Sequence, residues 1–347
     1  MVDLQALRID CVGVLSLRRS CIMANIMINK TCNLRCPYCF ANEFVNKSED
    51  NITLENFKKA VDFLLSSQGT GGRIGIIGGE PTIHPQFQEI IESVVKNDKI
   101  KSVVLFTNGI KIDEYIDILS HEKIRFLINL NSYNDIGVGF YNEILNNIEL
   151  LLNRGKKNDI NLGLNIYSSK QDFSFFFNVF DNYDLTHARI SIIVPNGESS
   201  TDGFINFKEL KDAFYNIIIE LMSRNISYGI DCNKPPRCIW TEEEIEKIKL
   251  IGAESKDGLH GISFEFNKCY PVIDILPDLT AVRCFGLSDV SKVNISDFNS
   301  FDDLRKYYLE NIDKGYIAKP LCSDCKKCDL FGDKCYGGCL SNKKICL

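Results

Sequence analysis

Residues 24–39 read ANIMINKTCNLRCPYC, a short apolar run leading directly into Cys32, Cys36 and Cys39. The run is bounded by polar residues and reads as a buried strand, with the cysteines on the loop that follows it. Three thiolates so close in sequence can converge on one metal group only from a loop, because a regular strand would splay them apart. Iron–sulfur clusters are normally fixed by four cysteines, yet no further cysteine occurs until Cys232. That gap suggests one coordination position left open, which separates a reactive metal centre from a purely structural one. By ligand type, a zinc site completed by His84 or His121 is the alternative.

Outward from this stretch the same pattern recurs. RIGII (73–77) runs into Gly78-Gly79-Glu80-Pro81-Thr82, and SVVLF (102–106) into Thr107-Asn108-Gly109; RFLINL (125–130), INLGLNI (160–166) and ARISIIV (188–194) follow. Helical periodicity fills the intervals: 54–67 behind an N-cap at Thr53, then 87–95, 113–119, 141–152, 173–182 and 207–223. Alternating strands and helices argue for parallel βα units, and near-continuous apolar strands for a sheet covered on both faces. The expected fold class is therefore α/β, a partial (β/α)6 barrel over residues 24–225, with a closed eight-stranded barrel as the alternative. Thr107, Asn108, Asn129, Asn131, Ser132, Asn165 and Asn196 fall at strand ends, the edge where such folds bind ligands. Residues 1–23 form an N-terminal extension. Residues 226–263 are a connector holding the Pro-rich stretch 231–238 and a short helix over 242–251. Residues 264–285 read as a hairpin turning at Pro277–Asp278, and 302–311 as a helix. The cysteine-rich remainder makes 264–347 a second, small domain.

Composition narrows the function classes. A net charge of -6 and a pI near 5.4 supply no basic field for phosphate backbones, so nucleic acid is disfavoured as main partner. No apolar run approaches the roughly 20 residues of a membrane span, and residues 1–20 lack the apolar core of a signal peptide. These features predict a cytoplasmic protein. Fifteen cysteines, none of them between Cys39 and Cys232, favour iron–sulfur ligation over a disulfide framework in a reducing compartment. Cys11 and Cys21 are expected to be buried free thiols.

The spacing Cys32-x3-Cys36-x2-Cys39, with Tyr38 before the last cysteine, resembles the signature of the radical S-adenosylmethionine (SAM) superfamily. Gly78-Gly79-Glu80-Pro81-Thr82, at the end of the second strand, is similar to that family's SAM-binding GGEP motif. The resemblance implies that Cys32, Cys36 and Cys39 carry a [4Fe–4S] cluster whose open iron chelates the amino and carboxylate groups of SAM. It further implies reductive cleavage to methionine and a 5′-deoxyadenosyl radical that abstracts a substrate hydrogen. Tyr38 and Phe40 would lie near the cofactor, with Phe40 by the adenine. Gly78, Gly79, Glu80, Pro81 and Thr82 would bind its amino group largely through backbone carbonyls, glycine allowing close approach. Asn108, Asn131, Ser132 and Asn165 would face its ribose and carboxylate, although each fits equally as the cap of the next helix. A reducing partner such as flavodoxin or ferredoxin is also implied.

The C-terminal pattern, Cys269-x14-Cys284 and then Cys325-x2-Cys328-x6-Cys335-x3-Cys339-x6-Cys346, resembles the SPASM extension, which usually binds two auxiliary [4Fe–4S] clusters. The family grouping would place Cys325, Cys328, Cys335 and Cys346 on one cluster, and Cys269, Cys284, Cys339 and one more on the other. Cys238, after its Pro-Pro step, is preferred for that place over Cys232 and Cys322. Two departures stand out: Leu279 occupies the usual glycine position, and the Cys328–Cys335 gap is one residue longer than usual. A zinc ribbon is the alternative for this block.

SPASM-type relatives commonly crosslink or oxidise ribosomally made peptides, so a peptide or protein substrate is expected. Only about 24 residues precede the first strand, so a fused leader-binding domain is not expected and a separate leader-binding protein is. The alternatives are a sulfatase-maturase-like or sugar and small-molecule dehydrogenase, and a non-catalytic iron–sulfur carrier or sensor. The Gly-Gly-Glu-Pro-Thr loop argues against the last. Tyr133, Asp135, Arg189 and Glu198 are positioned near the barrel mouth, without one standing out as a general base.

Overall fold

The computed structural model describes residues 24–193, 207–230, 235–254 and 269–344, except 37, 40, 42, 43, 270 and 334. Phe40, Cys346, Cys11, Cys21, Cys232, Asn196, Glu198 and the first part of the expected hairpin lie outside the described residues.

Seven strands pair in parallel, each with the next: β1 (Ala24–Met27), β2 (Arg73–Ile77), β3 (Ser102–Thr107), β4 (Ile124–Asn129), β5 (Ile160–Ile166), β6 (His187–Ile192) and β7 (Ser227–Ile230). The helices α1 (Leu54–Leu65), α2 (Phe87–Val95), α3 (Ile116–Leu119), α4 (Tyr133–Ile136), α5 (Val138–Asn153), α6 (Ser174–Tyr183) and α7 (Phe207–Ser223) alternate with them. Thr53 caps α1 as its sequence suggests, its side chain accepting from Asn56 N at 3.1 Å. The apolar faces of α1, α2, α5, α6 and α7 pack on the strands to form one continuous core. β7 is a seventh strand where the connector was expected: Ser-Tyr-Gly-Ile is short and only partly buried, so no apolar run betrays it.

Among the described residues the sheet does not close. On the far side of β1 it continues through β8 (Ile273–Ile275), β9 (Thr280–Val282) and β10 (Lys292–Asn294), ten described strands in all. β8 runs parallel to β1 with Ala24 opposite Ile273, and β9 returns antiparallel after a turn that includes Pro277 and Asp278. Leu279, the departure from glycine, has φ +66°, a left-handed conformation that glycine adopts far more easily. α8 (Glu242–Glu254), α9 (Phe301–Tyr308) and α10 (Lys314–Ala318) complete the fold, α9 and α10 being joined by a π-helical turn, Leu309–Asp313. Among the described residues no helix is long and apolar enough to cross a membrane.

One polar pair interrupts the apolar sheet. Asn25 and Asp274 are register partners, and Asn25 Nδ2 donates to Asp274 Oδ1 at 2.7 Å. Burial pushes the Asp274 carboxyl up to about 7. A carboxyl raised in the fold favours folding at pH values below its unfolded pKa, and that advantage is lost as pH rises towards 7. Asp274→Asn keeps the bond from Asn25, gives up the one from the Phe285 backbone at every pH and removes the buried charge, so its effect on stability should be more favourable at pH 8 than at pH 5. The difference should reach about 2–3 kcal/mol. Equal effects at the two pH values in thermal melts would refute the assignment.

Candidate active site

Parallel pairing with Met27 opposite Ile77 brings the ends of β1 and β2 together, and with them the cysteine loop and Gly78–Thr82. The two loops are bonded to each other. Gly79 N donates to Asn29 O at 3.0 Å, Glu80 N to Thr31 O at 2.8 Å, and Asn29 Nδ2 to Glu80 O at 2.8 Å. The glycines serve this junction. A Cβ at Gly79 would lie 2.1 Å from Thr31 O, and one at Gly78 would lie 2.0 Å from Asn29 Oδ1. The close approach expected towards a cofactor is thus made, at these two Cβ positions, towards the protein's own chain.

Glu80 braces the same junction with its side chain. Its carboxylate is buried and accepts from Thr82 N (3.1 Å), Thr82 Oγ1 (2.7 Å), Thr107 Oγ1 (2.7 Å) and Asn108 N (2.6 Å). Pro81 and Thr82 form the 3-10 turn it caps. Asn108 then donates from Nδ2 to Asn33 Oδ1 on the cysteine loop at 2.7 Å, while its Oδ1 accepts from Ile110 N at 3.0 Å. These residues hold the cysteine loop in place through a buried network.

The loop has further supports. Cys32 N donates to Asn46 Oδ1 at 3.0 Å, and Arg35 Nη1 to Cys32 O at 2.6 Å. Donors point at each sulfur: Leu34 N at 3.3 Å from Cys32 Sγ, Asn131 Nδ2 at 3.6 Å from Cys36 Sγ, and the Ala41 backbone at Cys39. Burial pushes the Cys32 thiol up to about 11, Cys36 up to about 12, and Cys39 upward too. Thiolate ligands must therefore shed their protons as metal binds. Three thiols with N–H groups aimed at their sulfurs are the donor set an iron–sulfur cluster takes, so the residues fit that group.

Beyond the loop, Tyr38 donates its hydroxyl to Asn131 Oδ1 and stacks on Tyr167 at 4.5 Å between ring centroids. Tyr167 OH donates to both oxygens of Asp135, at 2.8 and 2.9 Å. Burial drives the Tyr38 hydroxyl strongly upward and Tyr167 up to about 12. Asn131 thus reaches the site, and Tyr167 joins it without having been anticipated. Ser132 caps α4, accepting from Asn134 N at 3.2 Å, and the Asn165 carbonyl accepts from Gln171 Nε2 at 3.1 Å. Tyr133 is exposed and packs edge-on against Tyr141, and Arg189 lies mid-strand in β6. His84 is structural: its Nε2 lies 3.0 Å from Ile52 O and its Nδ1 accepts from Gln86 N at 2.9 Å, so both ring nitrogens are engaged away from the thiols.

The C-terminal thiols form two neighbourhoods. Cys269 and Cys339 are hydrogen-bonded, and Cys284 lies in the field of both. That bond and the Arg283 guanidinium hold Cys269 down, while Cys339 is pushed up. In the second neighbourhood, Cys322 and Cys325 bring their sulfurs within 3.7 Å. Cys238 feels Cys335, Cys325 and Cys322 of this second neighbourhood. The reason is local: the turn Arg237–Ile239 is anchored by Trp240 against Phe214 and Tyr215 of α7, which carries Cys238 to that side. Cys328 belongs to the same loop, with its N bonded to Cys325 O at 3.2 Å. Lys343 lies buried among Cys325, Cys335, Cys269 and Cys339, another residue the sequence did not single out.

Comparison with known proteins agrees with this geometry. Residues 26–169 match the radical SAM superfamily. GTP 3',8-cyclase of Alkaliphilus oremlandii is 26% identical over 208 residues, 56% of this chain and 63% of that protein. The Clostridium botulinum protein of the same name is 27% identical over 198 residues, 53% and 61% of the two chains. The chain thus spans under two thirds of the length of these relatives. In fold it is similar to Streptococcus suis SuiB bound to S-adenosylmethionine, with a TM-score of 0.66 at 16% identity, covering 92% of this chain and 73% of that one. SuiB bound to precursor peptide SuiA gives a TM-score of 0.63 at 15% identity, covering 92% and 72%. Radical SAM proteins bind SAM and a [4Fe–4S] cluster, and the thiol triplet beside the Gly-Gly-Glu loop lies within the matched segment. Residues 26–169 are thus a radical SAM domain.

Proposed function

We propose that this chain reductively cleaves SAM and uses the resulting radical chemistry to crosslink or oxidise a peptide or protein. The observation that carries the reading is the locked pair of loops, with the Leu34 and Asn131 N–H groups directed at the sulfurs of Cys32 and Cys36. Cys32, Cys36 and Cys39 would hold the cluster. Once bound, that cluster supplies the electron that splits SAM, and hydrogen abstraction then appears as 5′-deoxyadenosine. The chain's own residues orient and shield. Glu80 and Asn108 fix the loop, Asn131 ties Cys36 to the end of β4, and the Tyr38–Tyr167 stack walls one side. Asp135 accepts the Tyr167 hydroxyl at that wall.

Cys269, Cys284 and Cys339, and the group formed by Cys325, Cys328 and Cys335 with Cys238 and Cys322 beside it, would hold auxiliary clusters, with Cys346 a further ligand by the family grouping. A substrate radical left by hydrogen removal must lose one more electron to reach a closed-shell product, and these clusters would take it. A peptide substrate is supported by the cysteine-rich extension and by likeness in fold to a protein seen with a precursor peptide. A separate leader-binding protein, a flavodoxin- or ferredoxin-type reductant and a cytoplasmic setting belong to the same reading. A second reading, a nucleotide or other small molecule as substrate, is favoured by the relatives named GTP 3',8-cyclase.

The test is anaerobic reconstitution followed by SAM and dithionite. The wild-type chain should form 5′-deoxyadenosine, and Cys32→Ala, Cys36→Ala or Cys39→Ala should lower it at least about a hundredfold. Cys325→Ala and Cys335→Ala should keep cleavage but uncouple it from substrate conversion. Cleavage that survives loss of Cys36 sinks the assignment. Stimulation by GTP rather than by a peptide selects the second reading.

A further inference from the structure

Arg283 is 1% exposed, one residue before Cys284 at the end of β9. Its guanidinium is fully used. Nε and Nη2 fork onto Asp313 at 2.8 and 2.9 Å, and Nη2 also donates to Cys269 O at 3.1 Å. Nη1 donates to Cys269 Sγ at 3.3 Å and to Cys284 Sγ at 3.7 Å. A guanidinium has five N–H donors in a fixed planar array, and here five acceptors meet them. Lysine could not reproduce this pattern.

The partner is placed with equal care. Asp313, 1% exposed, ends the π-helical turn between α9 and α10, and such turns often mark functional positions. Tyr308, at the end of α9, donates its hydroxyl to Ala281 O at 2.7 Å and so ties that helix to β9. A buried ion pair brings little net stability over a well-packed apolar pair of similar volume. The arrangement therefore calls for a reason other than stability. The two sulfurs on Nη1 supply one.

We propose that the Arg283–Asp313 pair is a fixed-charge clamp on an auxiliary cluster held by Cys269, Cys284 and Cys339, orienting two of its thiolates and setting its reduction potential. The inference rests on the reading that these thiols hold such a cluster. Thiolates are the ligands iron–sulfur clusters take, and hydrogen bonds to sulfur together with net charge tune their potentials. Reduction adds one electron, and with it one negative charge, to the cluster; no proton is needed. A permanent cation donating to two ligand sulfurs stabilises the reduced form more than the oxidised form. Asp313 offsets part of that effect.

Opposite shifts follow. Arg283→Gln removes the cation and should lower the midpoint potential. Asp313→Asn leaves the cation without its counter-charge and should raise it. Each should change the reduction equilibrium at least tenfold, about 59 mV for a one-electron couple. The measurement uses the full chain, anaerobically reconstituted with iron and sulfide, with iron counting and a dithionite titration followed by electron paramagnetic resonance. The signal of this site is the one Cys284→Ala removes. If Cys284→Ala removes neither iron nor signal, the ligand reading fails and the clamp with it. If it removes both, but Arg283→Gln and Asp313→Asn leave the midpoint unmoved or shift it in the same direction, the clamp alone is overturned. If Arg283→Gln takes up no iron, Asp313→Asn decides: a higher midpoint supports the clamp, and an unchanged or lower one overturns it.

Discussion

Gly79→Ala should destabilise the protein by about 3–5 kcal/mol and strip iron from the reconstituted chain. The added methyl would fall 2.1 Å from Thr31 O, 2.4 Å from its carbonyl carbon and 2.9 Å from Cys32 N. All three are backbone atoms, so no side-chain rotation can make room. The loop would have to withdraw from the end of β2. That opens the bonds from Gly79 N to Asn29 O and from Glu80 N to Thr31 O, each worth about 1 kcal/mol net. Steric strain in a packed region adds about 1–3 kcal/mol more. Because Cys32 is on the moving segment, cluster uptake should fall with stability. Gly78→Ala is the internal control. Its methyl would meet Asn29 Oδ1 at 2.0 Å, a side chain that can shift by giving up its bond to Glu80 O, while the nearest backbone atom is 3.1 Å away, so the cost should be smaller. A Gly79→Ala chain that melts and binds iron like wild type would show that the junction tolerates displacement.

The junction also shows how far sequence reading could reach. Strands β1–β6 were legible because their apolar runs, such as Arg73–Ile77 and Ile160–Ile166, are covered on both faces and stand out from polar surroundings. β7 and β10 were not. Ser-Tyr-Gly-Ile and Lys-Val-Asn are sheet-edge segments, half exposed, with no run to detect. The thiol triplet and the Gly-Gly-Glu loop were visible as local motifs, but the direction of each side chain was not. Glu80 turns inward because Thr107 and Asn108, from the next strand, offer it donors. Arg283 illustrates the same limit. Its partners lie 14 and 30 residues away, one of them on a π turn, and no local spacing marks a buried guanidinium. The side of α7 on which Cys238 lies was not legible either, because loop spacing carries no information about where a turn is anchored. Contacts fixed by chain neighbours could be read. Contacts fixed by tertiary packing required the structure.

Glu80→Ala should remove about 3–5 kcal/mol of stability, whereas Glu80→Gln should remove only about 1–3 kcal/mol. Three donors converge on Oε1 and Asn108 N on Oε2, and two of the four, Thr82 N and Asn108 N, are backbone groups that cannot be reversed. Alanine leaves both, and two hydroxyls, buried without acceptors. Glutamine has nearly the same shape. With its oxygen towards Asn108 N, its amide can donate to the Thr82 and Thr107 hydroxyls, which are free to rotate. Only the bond from Thr82 N is then lost. Burial raises the Glu80 carboxyl above the usual range against the pull of those hydrogen bonds, so glutamine also relieves the desolvation of a buried charge. The functional consequence passes through Asn108, whose amide reaches Asn33 beside Cys32. Glu80→Ala should therefore lose both iron and SAM cleavage, while Glu80→Gln should retain most of the iron. Thermal melts with iron assays distinguish the two. If Glu80→Ala came within 1 kcal/mol of wild type and kept its cluster, the carboxylate would not be what holds the loop.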